Sequence, residues 1–153
     1  MKKIAVILSG SGVFDGAEIH ESVLALHAVE KAGASWRCFA PNVEQLHVVN
    51  HLTGEATEES RNVLVEAARI ARGNIEDVAK LNVDDFDALL VPGGFGAAKN
   101  LTDFAINGAE CSINADVAAA CRAFKDADKP AGYLCIAPVI INGLPGVSER
   151  HNR

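Results

Sequence analysis

The chain has 153 residues, 49% hydrophobic and 22% charged, which suits one ordinary globular domain with a real core and excludes general disorder. A net charge of −6 argues against a broad phosphate-binding surface, and no apolar run reaches the roughly 20 residues of a membrane span. The opening MKKIAVILSGSG runs into a strand-like stretch with no cleavage site, so a mature cytoplasmic protein with neither nucleic-acid nor membrane partners is expected.

In chain order, residues 4–8 form a short apolar run that ends in Ser9-Gly10-Ser11-Gly12, as a buried parallel strand would. Over residues 18–32, Ile19, Val23, Leu26 and Val29 recur at helical spacing, and Gly33 closes the element. Residues 36–40 predict a second strand, stopped by Pro41, and residues 47–51 are ambiguous. A helix is predicted over 60–72, with Val63, Leu64, Ala67, Ala68 and Ile70 on one face. Residues 88–91 form a strand that runs into Pro92-Gly93-Gly94. Helical stretches follow near 97–104 and 114–126. A last strand at 131–134 leads into Cys135-Ile136-Ala137-Pro138, whose proline suits a helix's first turn.

Strands alternating with helices predict an open parallel α/β sheet, flavodoxin-like, with helices on both faces. Functional groups in such sheets gather at the carboxyl ends of the strands. The ends at Ser9, Pro92 and Leu134 are therefore expected to converge on one crevice. No repeat or linker divides the chain. The four cysteines, Cys38, Cys111, Cys121 and Cys135, show neither CxxC nor CxxH spacing, which excludes a zinc knuckle or disulfide scaffold and fits a reducing compartment.

The glycines between Gly10 and Gly16 invite a dinucleotide reading, but Pro41-Asn42 stands where an acidic residue should hold the ribose. A turn that needs glycine's freedom is preferred. Cys135 sits between strand and helix, so a sharp turn would lift its sulfur into the crevice and a helix N-terminus would favour the thiolate. The alternative is an inert core cysteine, the role expected of Cys38. An oxyanion formed by thiolate attack needs donors, and the amides of Gly93, Gly94 and Ile136 are suitably placed. Glu18 begins the first helix above the same crevice, as proton carrier or as a plain helix-start acid. Asp15 and Glu21 fit the latter role better. His20, His27, His47 and His51 lack a third ligand or a place beside Cys135, so no metal site is expected.

The segments LSGSGVFDGAEIHE, NHLTGE, SRNVLVEAARIARG, VPGGFGAAKNL and CIAP resemble the ElbB-like glyoxalases, also called enhancing-lycopene-biosynthesis proteins, of the PfpI and class I glutamine amidotransferase-like superfamily. The likeness covers residues 3–138, and residues 139–153 form a divergent tail in place of the family's further strands and closing helix. It implies a nucleophile elbow at Cys135, a glutamate partner at Glu18 and an oxyanion site at Gly94 and Ile136. The implied activity is conversion of glyoxal to glycolate without cofactor, glutathione or metal, with a small dicarbonyl as substrate. Amidotransfer is not implied, because Ile136 stands where the superfamily's usual triad would need a histidine. A non-catalytic binding or redox-sensing role, with Cys135 oxidised to a sulfinic acid, is the second expectation. Gly143, Pro145 and Gly146 are expected to cut short the helix after Cys135. An open sheet edge favours a homodimer.

Overall fold

The structure, a computed structural model, describes residues 1–142 and Leu144. The rest of the 139–153 tail, with Gly143, Pro145 and Gly146, lies outside the described residues. Strand β1 (Lys3–Ile7) is followed by helix α1 (Ile19–Lys31) and β2 (Ser35–Ala40). A small antiparallel hairpin, β3 (Val49–Asn50) and β4 (Glu55–Ala56), precedes α2 (Val63–Ala71) and β5 (Ile75–Asp77). Two short turns lead to β6 (Ala88–Val91), a π-helical turn (Ala97–Leu101) and α3 (Phe104–Asn107). Helix α4 (Ala115–Asp126), β7 (Ala131–Tyr133) and the one-turn α5 (Val139–Asn142) complete the described chain.

The main sheet is parallel throughout, in the order β5-β2-β1-β6-β7. Side chains alternate across each strand, so β1 feeds both faces. Ala5 and Ile7 join Phe39, Leu89 and Phe124 in one core, covered by α4; Val6 joins Cys38, Leu26, Val63 and Ala67 in the other, covered by α1 and α2. This is the expected flavodoxin-like arrangement with helices on both faces. The chain builds outward from β1 through β2 to β5, then returns to β6 on β1's other side. The reversal falls between β1 and β6, whose carboxyl ends are where such sheets bind ligands.

Several local expectations shift. The apolar stripe of α1 is rotated: Leu26 and Ser22 are buried, while Ile19 and Val23 are 42% and 48% exposed. Its seating on β2 is fixed at the other end, where the Trp36 indole N–H donates to Glu30 Oε1 at 2.8 Å. Strand β5 carries one apolar residue, so its sequence lacks a strand pattern; pairing with β2 makes the strand. The stretch at 97–104 divides between the π-helical turn and α3. The helix expected after Cys135, with Pro138 in its first turn, begins instead at Val139, and its described part is one turn.

Candidate active site

Three strand ends meet as expected. β7 ends at Tyr133, the Leu134 amide donates to Val91 O at 3.0 Å, and Cys135 then takes a left-handed φ of 54°. A non-glycine residue there is held against a cost of about 1–3 kcal/mol. A turn closed by the Ala137 amide on Leu134 O at 2.9 Å holds Cys135, and its side chain is exposed.

Gly93 lies directly beneath the cysteine. A Cβ built on Gly93 would stand 2.7 Å from Cys135 Cβ and 2.9 Å from Glu21 Oε1, so only glycine fits between them. The Gly93 amide donates to Glu21 Oε1 at 2.5 Å. Gly93 is therefore a cradle for the acid rather than a free oxyanion donor, a correction to the expectation for its amide. Its carbonyl accepts the Glu18 amide at 3.0 Å, which ties the start of α1 to the end of β6. Gly94, at φ +102°, packs so closely on the Glu18 amide and the Gly16 carbonyl that a side chain has no room. Among the described residues the Gly94 and Ile136 amides meet no acceptor; Ile136 follows Cys135 in the chain, and Gly94 follows the Gly93 packed on it.

Glu18 sits as the helix-start acid named as its alternative. Its carboxylate caps α1, accepting from the His20 amide at 3.2 Å and the Glu21 amide at 2.7 Å. One helical turn on, the Glu21 carboxylate accepts the amide of Gly93, the residue packed on Cys135. Glu21 carries no composition signal beyond being a second acid in a first turn. Knowing that α1 turns Glu21 and Ser22 toward the sheet would have found it.

The other thiols contrast with Cys135. Burial pushes the Cys38 thiol up to about 12, against the opposing pull of Arg37, and the Cys121 thiol up to about 11 despite a hydrogen bond with Tyr133. Burial and Cys121 likewise push the Tyr133 phenol up. The loop above the crevice is held by buried Asn100. Its Nδ2 donates to Ser9 O and Asp15 O, both at 2.9 Å, and its Oδ1 accepts the Leu46 amide at 3.0 Å. Asp15 Oδ2 in turn accepts the Val49 amide at 2.8 Å. Among the described residues, no three His, Cys, Asp or Glu side chains gather as a metal-binding group.

No protein-family model matches the chain. The human glutamine amidotransferase-like class 1 domain-containing protein 3, mitochondrial, is 50% identical over 139 residues, covering 90% of this chain and 52% of the relative. The ES1 protein, mitochondrial, of Danio rerio is 37% identical over 142 residues, covering 90% and 53%. A solved structure of an isoprenoid biosynthesis protein with an amidotransferase-like domain, from Ehrlichia chaffeensis, superposes with a TM-score of 0.85 at 42% identity, over 90% of this chain and 63% of that one. This chain has the class 1 glutamine amidotransferase-like, DJ-1/PfpI-like fold.

The chain spans about half the length of the curated relatives it matches. A two-domain protein from Anabaena variabilis with DJ-1/ThiJ/PfpI-like and ferritin-like domains shares the fold at 15% identity and a TM-score of 0.54. Within this amidotransferase-like fold, Gly93 after β6 packs on Cys135 after β7 and donates its amide to Glu21 of α1. No helix among the described residues is long and apolar enough to cross a membrane.

Proposed function

We propose that the chain is a cofactor-independent glyoxalase of the ElbB-like kind, acting on small dicarbonyls through Cys135. The observation that carries this reading is the contact of Gly93 with both Cys135 and the Glu21 carboxylate. A thiolate, an acid–base group and paired amide donors are what an aldehyde isomerisation requires.

The Cys135 thiolate adds to one aldehyde carbon of glyoxal, and the oxyanion is received by the Gly94 and Ile136 amides. Glu21, in place of the Glu18 implied by resemblance, takes the proton from that carbon and returns one to its neighbour. One carbon is thereby oxidised and the other reduced, with no external oxidant. The enediol collapses to a glycolyl thioester; water then releases glycolate and the thiol. The first test is glycolate formation by the purified chain without glutathione or metal. Cys135→Ala is expected to abolish turnover, and full activity in that variant would overturn the reading.

The exposure of Cys135, beside the buried and raised thiols of Cys38 and Cys121, also favours a second reading as a non-catalytic redox sensor. Peroxide would then modify Cys135 first, and equal labelling of all four cysteines would exclude it. Likeness to a neighbour named for isoprenoid biosynthesis supports a role in that area and nothing narrower. Four free cysteines support a reducing compartment such as the cytoplasm, although two relatives are named mitochondrial. Among the described residues β7 stands at the sheet edge, which supports self-association as a homodimer; light scattering on the purified chain checks it.

A further inference from the structure

Phe95 takes no part in the reaction outlined above. It follows Gly94 directly, and trans peptide spacing keeps its Cα within about 8 Å of that of Gly93, the residue packed on Cys135. A phenyl ring is ordinarily buried, yet Phe95 is 46% exposed.

Phe95 is held in place from two segments, and a third braces one of them. The Phe95 amide donates to Val13 O at 2.9 Å. Its ring lies 6.4 Å from that of Phe14, tilted by 37°, and the Lys99 ammonium stands 5.7 Å from its centroid. Phe14 is itself fixed: Lys99 Nζ donates to its carbonyl at 2.6 Å, and its ring stacks on His51 at 4.8 Å. The Phe14 amide donates to His51 Nε2 at 3.2 Å, which leaves Nδ1 to donate to Val49 O at 3.0 Å. The β3–β4 hairpin thus reaches across to brace a solvent-facing aromatic ring next to the oxyanion amide.

We propose that Phe95 is a stacking platform that selects 2-oxoaldehydes bearing a planar aryl substituent over those with hydrogen or methyl. The proposal rests on the thiolate reading above. Attack fixes the aldehyde carbon at Cys135 with its oxygen toward Gly94, so the substituent on the second carbon is the group left to meet Phe95. The atoms balance as before: an arylglyoxal and water give the aryl hydroxyacid. An offset ring pair is expected to favour the aryl compound about three- to tenfold.

The test has one arm that needs no turnover. Benzoylformate carries the planar aryl ketone without an aldehyde, and pyruvate carries methyl in its place. Benzoylformate is expected to protect Cys135 from iodoacetamide at a three- to tenfold lower concentration than pyruvate does, read by peptide mass spectrometry. Phe95→Ala is expected to erase that preference and Phe95→Tyr to retain it, each checked for a cooperative melt. Equal protection in the parent chain, or an unchanged preference in Phe95→Ala, overturns the proposal. The second arm compares kcat/KM for phenylglyoxal and methylglyoxal, with the same loss of ratio expected in Phe95→Ala. Selective protection without turnover of either aldehyde would refute the glyoxalase reading and leave the platform standing. Turnover of both at one ratio in parent and Phe95→Ala chains would do the reverse.

Discussion

Glu18 and Glu21 stand three residues apart at one helix end, and their carboxylates face different partners. Glu18 satisfies the first amides of α1, whereas Glu21 crosses to the Gly93 amide beside Cys135. Glu21→Gln is therefore expected to lower kcat for glyoxal by about 10²–10⁴-fold, the usual scale of a lost acid–base group. Glu18→Ala is expected to cost about 1 kcal/mol of stability, as for other N-caps, seen as a lower melting temperature with a far smaller change in kcat. The reverse pattern would restore Glu18 as the proton carrier. Cys135 was legible in the sequence because a strand, an abrupt turn and a proline announce an elbow. Glu21 was not, since helix-start acids look alike until the helix's rotation on the sheet is known. That rotation is set by tertiary packing, which leaves Ile19 and Val23 outside and takes Ser22 inside.

Between elements, the crevice depends on a few buried polar contacts. Asn100 on the π-helical turn joins the β1 loop to the segment before the hairpin, through three hydrogen bonds. Asn100→Leu leaves those backbone groups unpaired and is expected to cost about 2–4 kcal/mol, measurable by urea unfolding. Ser22 differs: its buried hydroxyl has no hydrogen-bond partner among the described residues. Ser22→Ala is expected to be neutral or to stabilise by up to about 1 kcal/mol in the same measurement. Strands β1 and β6 were readable because buried parallel strands carry short apolar runs closed by glycine or proline, and β2, although Arg37 interrupts it, because Pro41 stops it. Strand β5 and the hairpin were not readable, because pairing rather than side-chain pattern makes them strands. The helix after Cys135 begins at Val139, past a turn, and the glycines and proline expected to shorten it lie outside the described residues.

Across the whole molecule, the two cores respond to alkali through their buried thiols. Cys38 keeps its proton to about pH 12 in the fold, while in the unfolded chain it ionises near its ordinary value. Between those limits the unfolded state binds fewer protons, so stability falls as pH rises, by about 1.4 kcal/mol per unit for this one group. The loss is expected to begin near pH 9, with Cys121 adding to it up to about 11. A melting temperature that stays flat from pH 8 to 10.5 would contradict the burial assigned to both. Cys38→Ala is expected to flatten part of the slope. Architecture was the most legible level, since alternation of strand and helix leaves few other solutions. One further consequence lies far from the crevice. Trp36 is the chain's single tryptophan, and its indole is tethered to Glu30 on the helix whose opposite end presents Glu21. Its fluorescence is thus a native optical gauge of how α1 is seated, and a ligand that draws Glu21 away from Gly93 should register as a change in emission colour at the far end of the rod.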